Sequence, residues 1–167
     1  MASRILHPGA SPLLLAPLLS STCTLLYAHD QHFFLSVFNH PTVRTHSKPL
    51  INPYYKEFFA RGLPIVLSFL AVSTGTALAN LRLNQTLLQT KGTFWWYAAG
   101  AGLSLGHLAY VPFIAPHVQT LVDGKDGEDL NEALDKWLVV NWRRMVTVDL
   151  GAWVAFVVAV LGTLENL

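Results

Sequence analysis

Charged residues are scarce in this chain of 167 residues. Lysine, arginine, aspartate and glutamate together make up 13% of it, whereas soluble globular domains usually carry about 25%. The hydrophobic fraction is 52%, and four long stretches contain almost no charge. The net charge is only +1 and no stripe of basic residues is present, which argues against a nucleic-acid partner. We therefore expect lipid, rather than water, to surround most of the chain.

Cysteine is almost absent, since Cys23 is the only one. A single cysteine excludes an intrachain disulfide and any zinc site built from several cysteines. Cys23 lies in an apolar run, where we expect a small buried side chain. His29 and His32 have HxxH spacing, but no run of carboxylates or cysteines accompanies them, so we predict no metal site. No P-loop, dinucleotide-binding or haem-attachment motif is present either.

Four stretches are apolar enough to form transmembrane helices, each of which needs about 20 residues. They cover residues 11–28, 62–81, 94–116 and 134–163. In lipid the backbone polar groups must be satisfied within each segment, which makes helices the default. The predicted fold class is all-α, with one domain over residues 1–167 that forms an antiparallel bundle of four transmembrane helices. The first stretch is longer than a typical signal-peptide core, and we expect it to be retained.

The connections between these helices differ in character. Residues 30–61 contain three prolines and many aromatic residues, and we expect a long loop that covers the mouth of the bundle or follows the membrane interface. The second connection, residues 82–92, is short and polar. Residues 123–135 are acidic, which is typical of a solvated turn that leads into the fourth helix.

Small residues are concentrated inside the predicted helices. They recur four residues apart in the pairs Gly75 and Ala79, Gly102 and Gly106, and Gly151 and Ala155. Such spacing allows helix backbones to approach closely. We expect tight packing within one bundle, with a homo-oligomer formed through these faces as the alternative.

Basic residues are divided unevenly between the two ends of a four-span bundle. One end would carry Arg4, Arg82 and Lys91, and the other end would carry the remaining eight of the eleven. Because lysine and arginine favour the cytoplasmic side, both termini are expected to face the lumen. The predicted localisation is a multi-pass protein of the endoplasmic reticulum or a related endomembrane.

Polar side chains inside the fourth apolar stretch are the main candidates for a functional site, because burying them without a partner is costly. At about 100° per residue, Trp137, Asn141 and Arg144 fall on one face of a helix, while Asp149 and Trp153 fall on a neighbouring face. This offset predicts that Asp149 finds its partner on another helix. In the alternative, structural interpretation, the arginine reaches the headgroups and the tryptophans anchor the helix at the interface.

The third and second helices contribute further candidates. His107 and Tyr110 lie three residues apart on one side of the third helix. A neutral imidazole can accept a proton near neutral pH, so His107 is a candidate base, although a core histidine that holds a helix contact is the alternative. Tyr54 belongs to a polar and aromatic cluster before the second helix that would either cover a pocket or lie at the membrane interface.

Three short motifs resemble a family of small four-helix membrane proteins, many of them fungal, which includes the anthrone oxygenases of polyketide pathways. The motifs are Asn52-Pro53-Tyr54, Gly106-His107-x2-Tyr110-x-Pro112 and Trp137-x3-Asn141-x2-Arg144-x4-Asp149-x3-Trp153. By layout, the resemblance covers nearly the whole chain.

The resemblance implies oxygenation of an anthrone to a quinone without a metal, flavin or other cofactor. His107 would remove an acidic methylene proton, and Asn141 and Arg144 would stabilise the oxyanion. The side chains that would bind a flat, apolar substrate arriving from the bilayer are Trp137, Tyr110, Asp149, Trp153 and Tyr54. Two alternatives remain: a non-catalytic membrane scaffold or partner subunit, and a non-redox cyclase or isomerase that uses the same acid–base residues.

Overall fold

The structure, a computed structural model, describes residues 12–125 and 127–165. Within them the chain forms four long helical rods and one short helix, α3 (Gln85–Thr90), which follows the second rod. The rods are α1 (Pro12–Ser36), α2 (Arg44–Leu83), α4 (Phe94–Gly106) continued by α5 (Val111–Asp123), and α6 (Leu130–Arg144) continued by α7 (Leu150–Leu164). The predicted helix start at Ser11, and Arg4 in the charge argument, lie outside the described residues.

Each rod is long and apolar enough to cross a membrane. The candidate spans are Pro12–Asn39, Arg44–Leu83, Phe94–Asp123 and Leu130–Leu164. The rods pack in a closed ring in chain order, because each contacts the next one and the fourth returns to the first. Short connections make neighbouring rods antiparallel. The prediction of an all-α bundle of four membrane-spanning helices is confirmed in its architecture.

The connection between the first two rods is much shorter than predicted. Only residues 37–43 separate α1 from α2, so the long loop expected over residues 30–61 is instead mostly helical. The helix α2 continues through Pro49 and Pro53 even though proline lacks an amide hydrogen to donate. Tyr55, two residues later, is buried in the hydrophobic core at this end of the bundle, and such packing offsets the lost hydrogen bonds.

Two hydrophobic clusters fill the bundle, one toward each end. Tyr97 and Phe156 belong to one of them, and Leu134 and Trp137 belong to the other. Between the two clusters lie the buried side chains of His107, Asn141, Arg144 and Asp149, and the backbone carbonyl of Ala28 joins them. Polar groups at this depth of a membrane bundle must be paired, and they mark the candidate site.

Small residues pack against a neighbouring rod at some of the predicted positions but not at others. A Cβ atom on Gly106 or Gly151 would lie 3.2 or 3.3 Å from a side chain of the adjacent rod, whereas Gly75 and Gly102 have nothing within 4 Å. Cys23, which was expected to be buried, is exposed on α1. Sequence spacing identifies a helix face, but it does not tell whether that face points into the bundle.

The contact between α4 and α7 depends on Gly100. A Cβ atom there would collide with the ring of Phe156, which is fully buried. Gly100→Ala is therefore expected to lower the free energy of unfolding by about 1–3 kcal/mol, measured by denaturant unfolding in detergent. Gly102→Ala on the same helix is the control, and it should raise stability by up to about 1 kcal/mol because alanine favours helix. Equal effects of the two substitutions would contradict the close contact.

Candidate active site

A cavity of about 360 Å³ lies between α2, α5 and α6, next to His107 and Tyr110 at the junction of α4 and α5. Its walls are mostly apolar and include Phe58, Phe59, Ile114 and Trp137. The polar residues that line it are Gln31, Tyr55, His107, Tyr110, Gln119, Asp123 and Arg144. An apolar cavity of this size with a few convergent polar groups is typical of a small-molecule site.

A network of charge-assisted hydrogen bonds is buried beside this cavity. One carboxylate oxygen of Asp149 lies 2.9 Å from Nδ1 of His107, and the other accepts from Nε of Arg144 at 3.2 Å. Nη2 of Arg144 donates to Oδ1 of Asn141 at 2.7 Å, and the amide of Asn141 donates to the carbonyl of Ala28 at 3.2 Å. The four side chains are at most 7% exposed. The network thereby links the first, third and fourth rods.

Arg144 and Asp149 meet because the fourth rod is not a regular helix between them. Residues Met145–Asp149 form a π-helical turn, in which hydrogen bonds reach five residues back instead of four. In a regular α-helix, residues five apart would point about 140° away from each other. As expected, Asp149 pairs with a residue of another helix, His107. It also pairs with Arg144 of its own rod, which was not expected, because the π turn brings the two side chains onto the same side.

The third rod is irregular at the same level. Residues His107–Tyr110 form a 3₁₀ turn, and Pro112 follows without an amide hydrogen to continue the pattern. Side chains three residues apart eclipse in such a turn, so His107 and Tyr110 both reach the cavity. The Tyr110 hydroxyl lies 2.9 Å from that of Thr147 in the π turn. The two irregular turns therefore contact each other.

The contact with Asp149 determines which nitrogen of His107 can act as a base. A carboxylate only accepts hydrogen bonds, so Nδ1 carries the proton and Nε2 is the acceptor. Nε2 has no hydrogen-bond partner among the described residues, and the imidazole lines the cavity. Asp149 stabilises the imidazolium that forms when Nε2 takes a proton.

The guanidinium of Arg144 retains donors for an anion in the cavity. It has five N–H groups, of which Nε and Nη2 use one each for Asp149 and Asn141. The charges of Arg144 and Asp149 cancel, so protonation of His107 leaves a net positive charge beside a newly formed oxyanion. The arrangement can thus accept a proton from a bound molecule and stabilise the anion that results.

Half of the site residues expected from the sequence line the cavity. These are His107, Tyr110, Trp137 and Arg144. Asn141 and Asp149 lie behind Arg144 and His107 and are positioning residues, because their contacts orient those two side chains. This corrects the assignment of Asn141 to catalysis and of Asp149 to substrate contact.

Trp153 and Tyr54 lie away from the cavity. The indole N–H of Trp153 donates to the hydroxyl of Thr22 on α1 at 3.0 Å. Tyr54 is 43% exposed, and its ring contacts those of Phe38 and Phe58 on the outer side of α2. Neither residue lines the cavity, which corrects their assignment as substrate-binding residues; each belongs to a helix face that the irregular turns and the continuous α2 direct elsewhere.

Tyr55 is a cavity residue that the sequence-based interpretation missed. It is 1% exposed and packs edge-on against Trp137, with ring centroids 6.0 Å apart. Ile51, Tyr55 and Phe59 recur every four residues, which is the signal of a buried helix face. The expectation of a proline-rich loop in this region concealed that signal.

Tyr55→Phe is expected to leave the melting temperature unchanged or higher. The hydroxyl of Tyr55 is buried without a hydrogen-bond partner among the described residues, a condition that lowers stability by about 1–3 kcal/mol. We expect kcat/KM to fall about tenfold, because the variant loses a donor beside the substrate. Tyr54→Phe on the exposed side is the control and should change neither quantity. A lower melting temperature with full turnover would contradict this role.

Among the described residues, no three His, Cys, Asp or Glu side chains are grouped so that they could hold a metal ion. His29, of the HxxH pair, is exposed and lies 3.6 Å from Asp30, while the ring of His32 contacts that of Trp142.

Three curated proteins are similar to this chain over most of its length. It is 26% identical to the probable epoxidase scpX of Mollisia scopiformis over 150 residues, which are 90% of this chain and 94% of that protein. It is 26% identical to the epoxidase gkaX of Penicillium citrinum and 25% identical to the epoxidase pydX of Acremonium sp., each time over 90% of this chain and 93% of the relative. No family model and no solved structure matches the chain. These homologues confirm the resemblance of the chain to the anthrone oxygenase-like family of fungal secondary-metabolism proteins.

Proposed function

We propose that this protein is a membrane-embedded oxygenase that uses O₂ on a lipophilic aromatic substrate of the polyketide type. The observation that carries the proposal is the buried network of His107, Asp149 and Arg144 beside an apolar cavity of about 360 Å³. The epoxidase names of the relatives support oxidative chemistry. Four rods that are long and apolar enough to span a membrane support the membrane location, for which we propose the endoplasmic reticulum or a related endomembrane.

The first step of the proposed reaction is proton removal by His107. The methylene group of an anthrone is acidic, because the carbanion is delocalised onto the ring oxygen as a phenolate. Nε2 of His107 takes the proton, and the electron pair of the C–H bond moves into the ring system. The oxyanion develops beside Arg144, and Asp149 stabilises the imidazolium.

The second step is formation of a carbon–oxygen bond with O₂. The electron-rich anion transfers electrons to O₂, the new bond forms at the former methylene carbon, and the imidazolium returns its proton to give a hydroperoxide. Loss of water then breaks the O–O bond and leaves a carbonyl group. In total the methylene and O₂ give a carbonyl and water. All four electrons come from the substrate, so the step requires no external reductant.

An epoxide is a second product class that the names of the relatives favour. A hydroquinone deprotonated by His107 would form a carbon–oxygen bond with O₂ in the same way. The peroxide oxygen would then close onto the adjacent ring carbon, giving a quinone epoxide and water. Here too the substrate supplies all four electrons. Both outcomes require the same base, the same oxyanion contact and the same apolar cavity.

Oxygen labelling of the product tests the proposal. Membranes that carry the wild type are incubated under ¹⁸O₂ with an anthrone or with a lipophilic hydroquinone, and the products are analysed by mass spectrometry against membranes without the protein. We expect one labelled oxygen atom in each product molecule and one O₂ consumed per turnover. Arg144→Ala should lose this activity, whereas Arg143→Ala, which changes an exposed neighbour, should keep it.

Two other results would replace the oxygenase proposal. Product formation that continues without O₂ and carries no label would indicate a cyclase or isomerase that uses the same acid–base residues. No turnover above that of membranes lacking the protein, together with loss of assembly in Arg144→Ala, would indicate a scaffold or partner subunit.

A further inference from the structure

We propose that the substrate enters the cavity sideways from the hydrocarbon layer, through a groove between α2 and α5. This inference rests on the proposed function for the identity of the substrate, a planar lipophilic aromatic molecule. The groove is defined by the cavity-lining residues that are also exposed at the outer surface. On α2 this is Leu63, and on α5 these are Val111, Ala115, Gln119 and, at the end of the helix, Asp123.

The exposure pattern distinguishes the mouth of the cavity from its floor. Val111, Ala115 and Gln119 repeat every four residues along α5 and form one exposed stripe. Leu63 is 42% exposed and Val111 is 49% exposed. The cavity residues that are buried form the floor: Gln31, Tyr55, Gly62, His107, Trp137 and Arg144. An opening therefore leads from the outer surface of the bundle between α2 and α5 to the imidazole and the guanidinium.

The outer faces of α2 and α5 carry large exposed apolar side chains. Ile65 and Leu67 on α2 and Phe113 on α5 are 40%, 47% and 66% exposed. All three lie within candidate membrane spans, where such side chains contact acyl chains. A lipophilic aromatic molecule dissolved in the bilayer would reach the groove without passing through water, whereas a charged solute would be excluded.

The end of the groove near the α5–α6 connection is tied together. The side-chain amide of Asn52 on α2 donates to the carbonyls of Leu121 and Val122 at 2.9 and 2.8 Å, in the last turn of α5. Gly124 follows with a positive φ of 58°, and a Cβ atom there would lie 2.5 Å from the Asn52 side chain. Asn52, from the Asn52-Pro53-Tyr54 motif, therefore holds α2 and α5 together at this end. The groove is open along its length between the two helices, away from this contact.

Filling the groove tests the lateral route. Leu63→Trp and Ala115→Trp place bulk at its two walls, and Leu78→Trp, at an exposed position of α2 about four turns away and outside the cavity, is the matched control. In vesicles loaded with a lipophilic substrate, we expect kcat/KM to fall about tenfold or more for the groove variants and to change by less than about twofold for the control. The melting temperatures should stay the same. Groove variants that behave like the control would overturn the proposal.

A binding measurement separates this inference from the proposed reaction. In a Cys23→Ser background, Ala115→Cys is labelled by a membrane-permeable maleimide with and without an anthraquinone in the bilayer, and Phe113→Cys serves as the control outside the cavity. We expect the anthraquinone to slow labelling only at position 115. If wild-type turnover is absent while this protection is seen, the oxygenase proposal fails and the lateral groove stands. Equal labelling rates at position 115 with and without the anthraquinone would overturn the groove even if turnover is observed.

Discussion

Replacing Asp149 with asparagine is expected to lower turnover by about a thousandfold to ten-thousandfold. Asparagine has nearly the same shape as aspartate, but its amide carries no charge to stabilise the imidazolium of His107. It also no longer requires Nδ1 to carry the proton, so Nε2 loses its role as acceptor. The measurement is kcat in membranes with the substrate that the labelling experiment identifies.

The same substitution should also destabilise the bundle. Asp149 is 3% exposed and is the counter-charge of Arg144, which is 7% exposed, so the variant leaves a buried cation without its partner. Loss of one member of a buried ion pair lowers stability by about 3–5 kcal/mol. Asp30→Asn is the control, because the side chain of Asp30 is exposed and its ion pair is the 3.6 Å contact with His29. It should change neither kcat nor stability.

A double variant separates stability from chemistry. Arg144→Met combined with Asp149→Leu removes both charges, and replacing a buried ion pair by apolar side chains of similar volume is often neutral or stabilising. We therefore expect the double variant to be more stable than Asp149→Asn and still inactive. If Asp149→Asn retains more than about a tenth of the wild-type turnover, the role of the carboxylate in His107 chemistry is contradicted.

His107→Ala is expected to lower kcat by about a hundredfold to ten-thousandfold, the usual contribution of a general base. Its effect on stability should be smaller than that of Asp149→Asn, because Asp149 and Arg144 remain paired at 3.2 Å. Since the cavity of about 360 Å³ has room for a free imidazole, imidazole in the buffer should restore part of the activity. The measurement is the rate as a function of imidazole concentration.

Two controls apply to this rescue. His46→Ala changes an exposed histidine and should keep full activity without added imidazole. Arg144→Ala should not respond to imidazole, because an imidazole does not replace the guanidinium. Undiminished turnover of His107→Ala, or equal rescue of both variants, would rule out the assignment of His107 as the base.

The candidate site shows how far helical periodicity predicts which side chains share a buried face. The placement of Trp137, Asn141 and Arg144 on one buried face follows from regular helix geometry, and all three are buried. Past Arg144 the argument fails, because the π turn at Met145–Asp149 has more residues per turn than a regular α-helix and therefore shifts the period. Asp149 consequently joins Arg144, and Trp153 faces Thr22 on α1 instead of the cavity.

In the second helix, an irregular segment was predicted where the structure has a regular helix. Proline is a helix breaker in water, so Pro49 and Pro53 predicted a loop. In the bundle the neighbouring rods supply the packing that keeps α2 helical through both prolines. This continuous helix turns Tyr55 inward and Tyr54 outward, a difference of one residue that composition and motif spacing did not resolve.

What the sequence determined by itself is the helical architecture and a composition compatible with a membrane. Four apolar stretches of membrane-spanning length require helices, because lipid offers no hydrogen bonds to the backbone, and the few polar residues within them mark the site because lipid does not solvate them. The tertiary structure decided which polar groups meet and where the cavity opens. Those outcomes depend on the local turns at His107–Tyr110 and Met145–Asp149 and on the spacing between α2 and α5, which arise from packing between rods rather than from the preferences of any one segment.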